Sequence, residues 1–305
     1  MTRVVVVTGG TSGVGLECCR TLVATAAEPT TVILLGRNPE RVQAATDEVN
    51  ALAVSGVAKV EGQVVDLSSL EDVRSLVNRL IEDGRKIFAL VCNAGIESPP
   101  NPTSADGFET TFATNHLGHF LLATSLYHAG MFLEKNEKPR IVVVSSSLHH
   151  SERPHASSPD VNDLQRVAYG GPGWGGKQAY STSKLCNLLF AYEFKRRYGK
   201  DLLVYMYTPG FVPDTGLFRN HSAIGWWVVK SLIKTVAYWR ESLQQSLSTP
   251  ERSGAFLARL ASDAELPWDS GSYFSIDHLF HTSEESKDPE LGRQLWELSQ
   301  QCIDK

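Results

Sequence analysis

Short β-prone runs alternate with longer amphipathic stretches along this chain, at 3–8, 31–35, 60–65, 87–92, 140–144, 202–207 and 271–276. Most of these runs are continuously apolar, the pattern of strands buried on both faces. Between them apolar residues recur at helical spacing, as in Val42, Ala45, Val49 and Leu52, or Leu70, Val73, Val77 and Leu80. Start signals fall where they should: Asn38-Pro39 as N-cap and first-turn proline, Ser68 with Glu71 as a capping box, and Thr249-Pro250 before a helix to about 261. The stretch 106–131 is mostly helical by the same reading, and a last helix covers about 289–301. This alternation predicts an α/β chain, a doubly wound parallel sheet of about seven strands with helices on both faces. No internal repeat or linker marks a second unit, so residues 1–305 are read as one domain. Two segments stand outside the alternation: an insert at about 147–177 and a helical segment at about 216–247.

Ligands of such sheets bind beyond the carboxyl ends of the strands, and polar or glycine-rich turns sit at those ends here. The first strand runs into Gly9, Gly13 and Gly15 at GxxxGxG spacing, with Thr11, Ser12 and Val14 between them. A strand before and a helix after let the backbone approach a pyrophosphate at a helix N-terminus, so this turn reads as a dinucleotide site. The second strand ends at Arg37, where an NAD site would carry Asp or Glu, and a guanidinium there suits the 2′-phosphate of NADP. The third strand ends at Asp66-Leu67, the fourth at Asn93-Ala94-Gly95, and the fifth at Ser145-Ser146-Ser147. Within 106–131, Asn115 is a polar residue amid helical apolar ones, which points to a role such as breaking the helix around a bound water.

In Ala179-Tyr180-Ser181-Thr182-Ser183-Lys184 a tyrosine and a lysine lie one helical turn apart on one face. Leu185, Leu188, Leu189 and Phe190 anchor that helix. An ammonium so placed favours the phenolate, so Tyr180 is expected to titrate below a free tyrosine and to serve as a general acid–base.

Taken in order, Gly9-x-x-x-Gly13-x-Gly15, Asn93-Ala94-Gly95, Asn115, Ser146, Tyr180-x-x-x-Lys184 and Pro209-Gly210 resemble the motif series of the short-chain dehydrogenase/reductases, over about the first 215 residues. Asp106-Gly107-Phe108-Glu109, Asn115-His116-Leu117-Gly118-His119, Ser183-Lys184-Leu185-Cys186-Asn187 and Gly216-Leu217-Phe218-Arg219 are similar to the retinol-dehydrogenase-like and light-dependent protochlorophyllide reductase-like branches. The resemblance implies a Rossmann-type NADP(H)-dependent enzyme moving hydride to or from a carbonyl or alcohol of a bulky, largely apolar substrate. It implies that Tyr180 exchanges the proton, Lys184 lowers its pKa and holds the nicotinamide ribose, Ser146 holds the carbonyl, and Asn115 positions a water. It places Pro209, Gly210, Val212 and Thr215 against the nicotinamide carboxamide. Where the pigment reductases generally read Pro-Gly-Cys, this chain reads Pro209-Gly210-Phe211, so light-dependent protochlorophyllide reduction is the alternative. A non-catalytic NADP-binding scaffold is a second.

Composition changes this picture little. A net charge of −5 argues against a nucleic-acid partner. No apolar run reaches spanning length and no signal peptide precedes the first strand, so a cytoplasmic protein is expected, with peripheral membrane contact open. Cys18, Cys19, Cys92, Cys186 and Cys302 lack metal-ligand spacing and read as buried reduced thiols. His149-His150 has no third ligand converging on it, so no metal site is expected. The glycine-rich run around Trp174 reads either as a lid or pocket wall, with Phe211 as a second wall, or as a tolerated surface insertion. Trp226, Val229, Ile233 and Val236 share a helical face that reads as pocket cover, subunit contact, membrane-surface helix or ordinary core. Monomer and homodimer both remain open.

Overall fold

The computed structural model describes residues 2–98, 103–150, 158–213 and 246–305. Strands β1 (Arg3–Thr8), β2 (Thr30–Gly36), β3 (Ala58–Val64), β4 (Ile87–Cys92), β5 (Arg140–Val144), β6 (Leu203–Thr208) and β7 (Tyr273–Ser275) form a parallel sheet. An eighth strand, β8 (His278–Phe280), pairs antiparallel with β7, giving the order β3-β2-β1-β4-β5-β6-β7-β8. The sequence reading of about seven strands missed β8 because its three residues are all exposed and carry no alternation. The turn before it also lacks a hairpin signal, since Ile276, not glycine, takes the positive φ of 60°.

Alternate residues of the parallel strands feed two cores. Val4, Val6, Ile33 and Leu35 face one side, with Leu76 of α3 (Leu70–Asp83), Phe120 of α5 (Gly118–His128), Leu185 of α7 (Gly176–Tyr198) and Leu295 of α9 (Pro289–Ile303). Val5, Val7, Val32 and Leu34 face the other, with Cys18 of α1 (Gly13–Ala24), Val42 of α2 (Pro39–Asn50) and Phe256 of α8 (Pro250–Ser262). Helices thus cover both faces, as a parallel sheet requires.

Two local expectations are corrected. Ser69, not Ser68, caps α3 by accepting from the Asp72 N–H, because the Asp66 carboxylate takes both the N–H and the hydroxyl of Ser68. The helix expected over 106–131 starts only at α4 (Thr110–Phe112), capped by the Glu109 carboxylate, and passes through a π-turn at Ala113–Leu117 before α5. The helical segment expected at 216–247 lies almost wholly outside the described residues. Among those described, no helix is long and apolar enough to cross a membrane.

Candidate active site

A cleft of about 550 Å³ opens at the carboxyl ends of β1, β2, β4, β5 and β6. Its floor at β1 is the glycine turn, where Gly9, Thr11, Ser12, Gly13, Val14 and Gly15 all line the opening. Gly15 is there for close approach: a Cβ would lie 2.4 Å from both the Gly9 carbonyl oxygen and the Asn93 amide nitrogen. The turn is bolted to the end of β4. Asn93 donates through its side chain to the Thr8 carbonyl at 2.9 Å, and the Asn93 and Ala94 N–H groups donate to the Thr8 hydroxyl at 2.8 and 2.9 Å. Backbone N–H groups at the start of α1, brought close by missing side chains, fit the phosphates of a dinucleotide.

At one end of the cleft stand Arg37 and Arg41, both exposed and without an ion-pair partner among the described residues. The Asn38 side chain accepts from the Arg41 N–H at 2.9 Å, so the cap that starts α2 also fixes the second arginine. Sequence reasoning missed Arg41; the signal was a second cation four residues after Arg37, in the first turn of the helix. Asp66 and Leu67 line the cleft beside them. Leu67 is buried, and the start of α5 presses on it: a Cβ on Gly118 would sit 2.3 Å from the Leu67 carbonyl oxygen.

The other end is built by side chains of α7. Tyr180 and Lys184 are buried and line the cleft, with the Lys184 ammonium 5.5 Å from the Tyr180 ring centre. Lys184 donates to the Val144 carbonyl at 3.3 Å and faces Gly95. The three serines after β5 separate by contact. Ser145 donates to the Lys184 carbonyl at 2.8 Å and lines the cleft, whereas the Ser146 side chain caps the short 3-10 turn opened by Ser147, accepting from the Leu148 N–H at 3.3 Å, and is not among the lining residues. Ser146 is itself held through its carbonyl by the His149 imidazole at 2.6 Å.

The expected depression of the Tyr180 pKa does not appear. Burial pushes the phenol up, the nearby Ser146 hydroxyl offsets part of that, and the Glu97 carboxylate adds to it. The same burial pulls Lys184 down to about 8. In a water-poor pocket desolvation outweighs attraction between two groups one turn apart. Glu97, which lines the cleft, was also missed; only its place just beyond Asn93-Ala94-Gly95-Ile96 could have drawn attention.

Asn115 sits in the π-turn, fully buried, and both hydrogens of its side-chain amide are committed. Its oxygen accepts from the Ile96 N–H at 2.8 Å, and its two amide hydrogens go to the Ile96 carbonyl and the Ser183 hydroxyl, each at 2.9 Å. Ser183 in turn donates to the Tyr180 carbonyl at 2.7 Å. A water held at Asn115 would therefore find no free amide hydrogen and would have to donate to it, at the main-chain carbonyl or at the second lone pair of the amide oxygen.

Pro209 lines the cleft, while Gly210, Val212 and Phe211 are in the turn behind it and are not among the lining residues. Phe211 pairs its backbone with Ser246 and Ser248. Trp174 is not brought to the cleft: its ring is 2% exposed, packed in the core with Arg166 over it at 5.5 Å. A large apolar ring gains more from that core than from a solvated wall, so the pocket-wall reading of Trp174 is corrected. Thr215 lies outside the described residues.

The short chain dehydrogenase family model matches residues 3–158. Retinol dehydrogenase 11 of Homo sapiens is 31% identical over 300 residues, spanning 97% of this chain and 84% of that protein. Chloroplastic protochlorophyllide reductase of Cucumis sativus is 31% identical over 326 residues, spanning 98% of this chain and 77% of that one. Among solved structures, L-sorbose reductase of Gluconobacter frateurii, complexed with NADPH and L-sorbose, shares the fold with a TM-score of 0.64 at 19% identity, over 90% of this chain and 95% of that one. With the glycine turn, the strand-end cleft and these matches together, the chain belongs to the short-chain dehydrogenase family and is an oxidoreductase of its retinol dehydrogenase-like and protochlorophyllide reductase-like branch.

Proposed function

We propose that this protein transfers hydride between NADP(H) and a carbonyl or alcohol of a bulky, largely apolar molecule, in the dark. The observation that carries the reading is the buried Tyr180 with the Lys184 ammonium 5.5 Å from its ring centre, at one end of a cleft whose other end presents two exposed guanidiniums. Arg37 and Arg41 match a 2′-phosphate, since a dianion on two unpaired guanidiniums gains charge-assisted hydrogen bonds that a ribose hydroxyl cannot give. The NADPH complex of L-sorbose reductase supports the choice of cofactor class by analogy of fold.

A nicotinamide cofactor held by the glycine turn and the arginines would supply or accept the hydride. The chain's own residues handle the proton. In reduction, hydride bonds to the carbonyl carbon and the C=O pair moves onto oxygen. Ser146 orients that oxygen with its hydroxyl, and Tyr180, kept protonated by burial, gives its proton there. Lys184 stabilises the resulting tyrosinate, and oxidation runs the same steps backwards. A scaffold that only binds NADP has no need of Ser146, Tyr180 and Lys184 in mutual reach.

The likeness to protochlorophyllide reductase favours a second reading, light-driven reduction of a C=C bond. Phe211 stands against it, offering no thiol or proton in place of the cysteine of that branch. The experiment is NADPH oxidation measured with a panel of lipophilic aldehydes and ketones in darkness, and with protochlorophyllide with and without illumination. Dark turnover of a carbonyl supports the proposal; chlorophyllide formed only in light overturns it.

A further inference from the structure

His119 is fully buried on the first turn of α5 and belongs to none of the steps above, yet it touches both halves of the cleft. Its Nδ1 lies 2.9 Å from the carbonyl oxygen of Asn115, and its Nε2 lies 2.8 Å from the Thr8 hydroxyl. The sequence places it there through the π-turn. The Gly118 N–H reaches back five residues to the Ala113 carbonyl, which shifts the ladder of main-chain bonds by one position. Such a shift leaves carbonyls needing other donors, and the His119 ring supplies one to Asn115.

The proton positions follow from what each partner can do. A carbonyl only accepts, so Nδ1 carries hydrogen. Burial pulls the ring's pKa to about 4, and the nearby Lys184 charge also lowers it, so Nε2 is bare at neutral pH. The Thr8 hydroxyl must then donate to Nε2. Its other possible acceptor, the Val91 carbonyl, is farther away at 3.2 Å. With its hydrogen spent on His119, both lone pairs of Thr8 are turned toward the Asn93 and Ala94 N–H groups. A single neutral tautomer thereby satisfies every partner around the ring.

We infer that His119 is a positioning residue: its Nδ1–H fixes the Asn115 carbonyl on the catalytic side, while its Nε2 orients Thr8 and through it the Asn93-Ala94 backbone on the cofactor side. The inference rests on the proposed function for the first arm only; the second concerns cofactor binding and needs no turnover.

Two substitutions separate the arms. His119→Asn puts an amide N–H near the Nδ1 position and keeps the Asn115 contact. His119→Gln reaches the Nε2 position with its oxygen and keeps the Thr8 contact. His119→Asn should weaken NADPH binding about tenfold with kcat near native, and His119→Gln should lower kcat about tenfold with NADPH affinity near native, the scale of one buried hydrogen bond left unmade. His119→Leu should lose both. Nitrogen-15 spectra of the wild-type imidazole should show hydrogen on Nδ1 and a bare Nε2, and this reading holds whether or not a substrate is known. A proton on Nε2, or Asn and Gln variants that lower affinity, kcat and melting temperature alike, would overturn the inference. If no carbonyl is turned over by the wild type, the function reading fails, while the tautomer and the NADPH affinities still decide the role of His119.

Discussion

The two ends of the cleft are made by different means. The cofactor end is backbone: turns at the ends of β1 and β4, drawn together because Gly15 has no side chain and because Thr8 ties Asn93 and Ala94. The catalytic end is side chain: Tyr180 and Lys184 on a long buried helix that Asn115 grips from a neighbouring element by donating to the Ser183 hydroxyl. Space limits the first end, so bulk should break it. Burial and charge govern the second, so changes of polarity should break it with little change of shape.

The largest effect should come from the catalytic end. Tyr180→Phe removes the proton donor, and turnover should fall by roughly two to four orders of magnitude. NADPH affinity should barely move, which a fluorescence titration checks. Next in size is Gly15→Val at the cofactor end. Its Cβ would collide with the Gly9 backbone, and the scale of overpacking implies NADPH binding weaker by roughly one to two orders of magnitude, with a lower melting temperature. If bulk at Gly15 spared binding while altering only kcat, the division between the ends would be wrong.

A smaller and more selective effect is expected at the arginines. Arg37→Ala and Arg41→Ala should each raise the NADPH dissociation constant about tenfold and leave NADH unchanged, the scale of a lost charge-assisted hydrogen bond. Equal use of both cofactors by the native enzyme would remove the basis for NADP.

The smallest effect is in stability. Burial holds Lys184 down at about 8 in the folded chain against an ordinary 10.5, so between those values the unfolded chain holds the extra proton. Stability from this group therefore rises with pH across that window, by at most about 1.4 kcal/mol per pH unit, and is lost as pH falls through 8. Comparing denaturant unfolding of the native protein and Lys184→Met from neutral to alkaline pH isolates the slope. A difference that stays flat would contradict the buried, uncompensated ammonium.

The cofactor end was largely legible in the sequence because it is written in local pattern: a strand, GxxxGxG, a helix, and polar residues at successive strand ends. Gly9, Gly13, Gly15, Asp66 and Asn93 all came to the cleft. What stayed hidden depends on burial and on partners distant in sequence. The direction of the Tyr180 shift turned on desolvation, which helical spacing does not report. Trp174 lay in a glycine-rich run and read as loop, yet its ring found the core. His119 carried no signal of its own, since Thr8 is 111 residues away in sequence.

Hydride transfer itself can be followed atom by atom. The protein is incubated in darkness with NADPH deuterated at the transferable position and with the panel of lipophilic aldehydes and ketones, and products are read by mass spectrometry. One deuterium on the carbinol carbon, absent with Tyr180→Phe, is the predicted result. NADPH that binds and raises the melting temperature while no carbonyl in the panel gains deuterium would contradict the account.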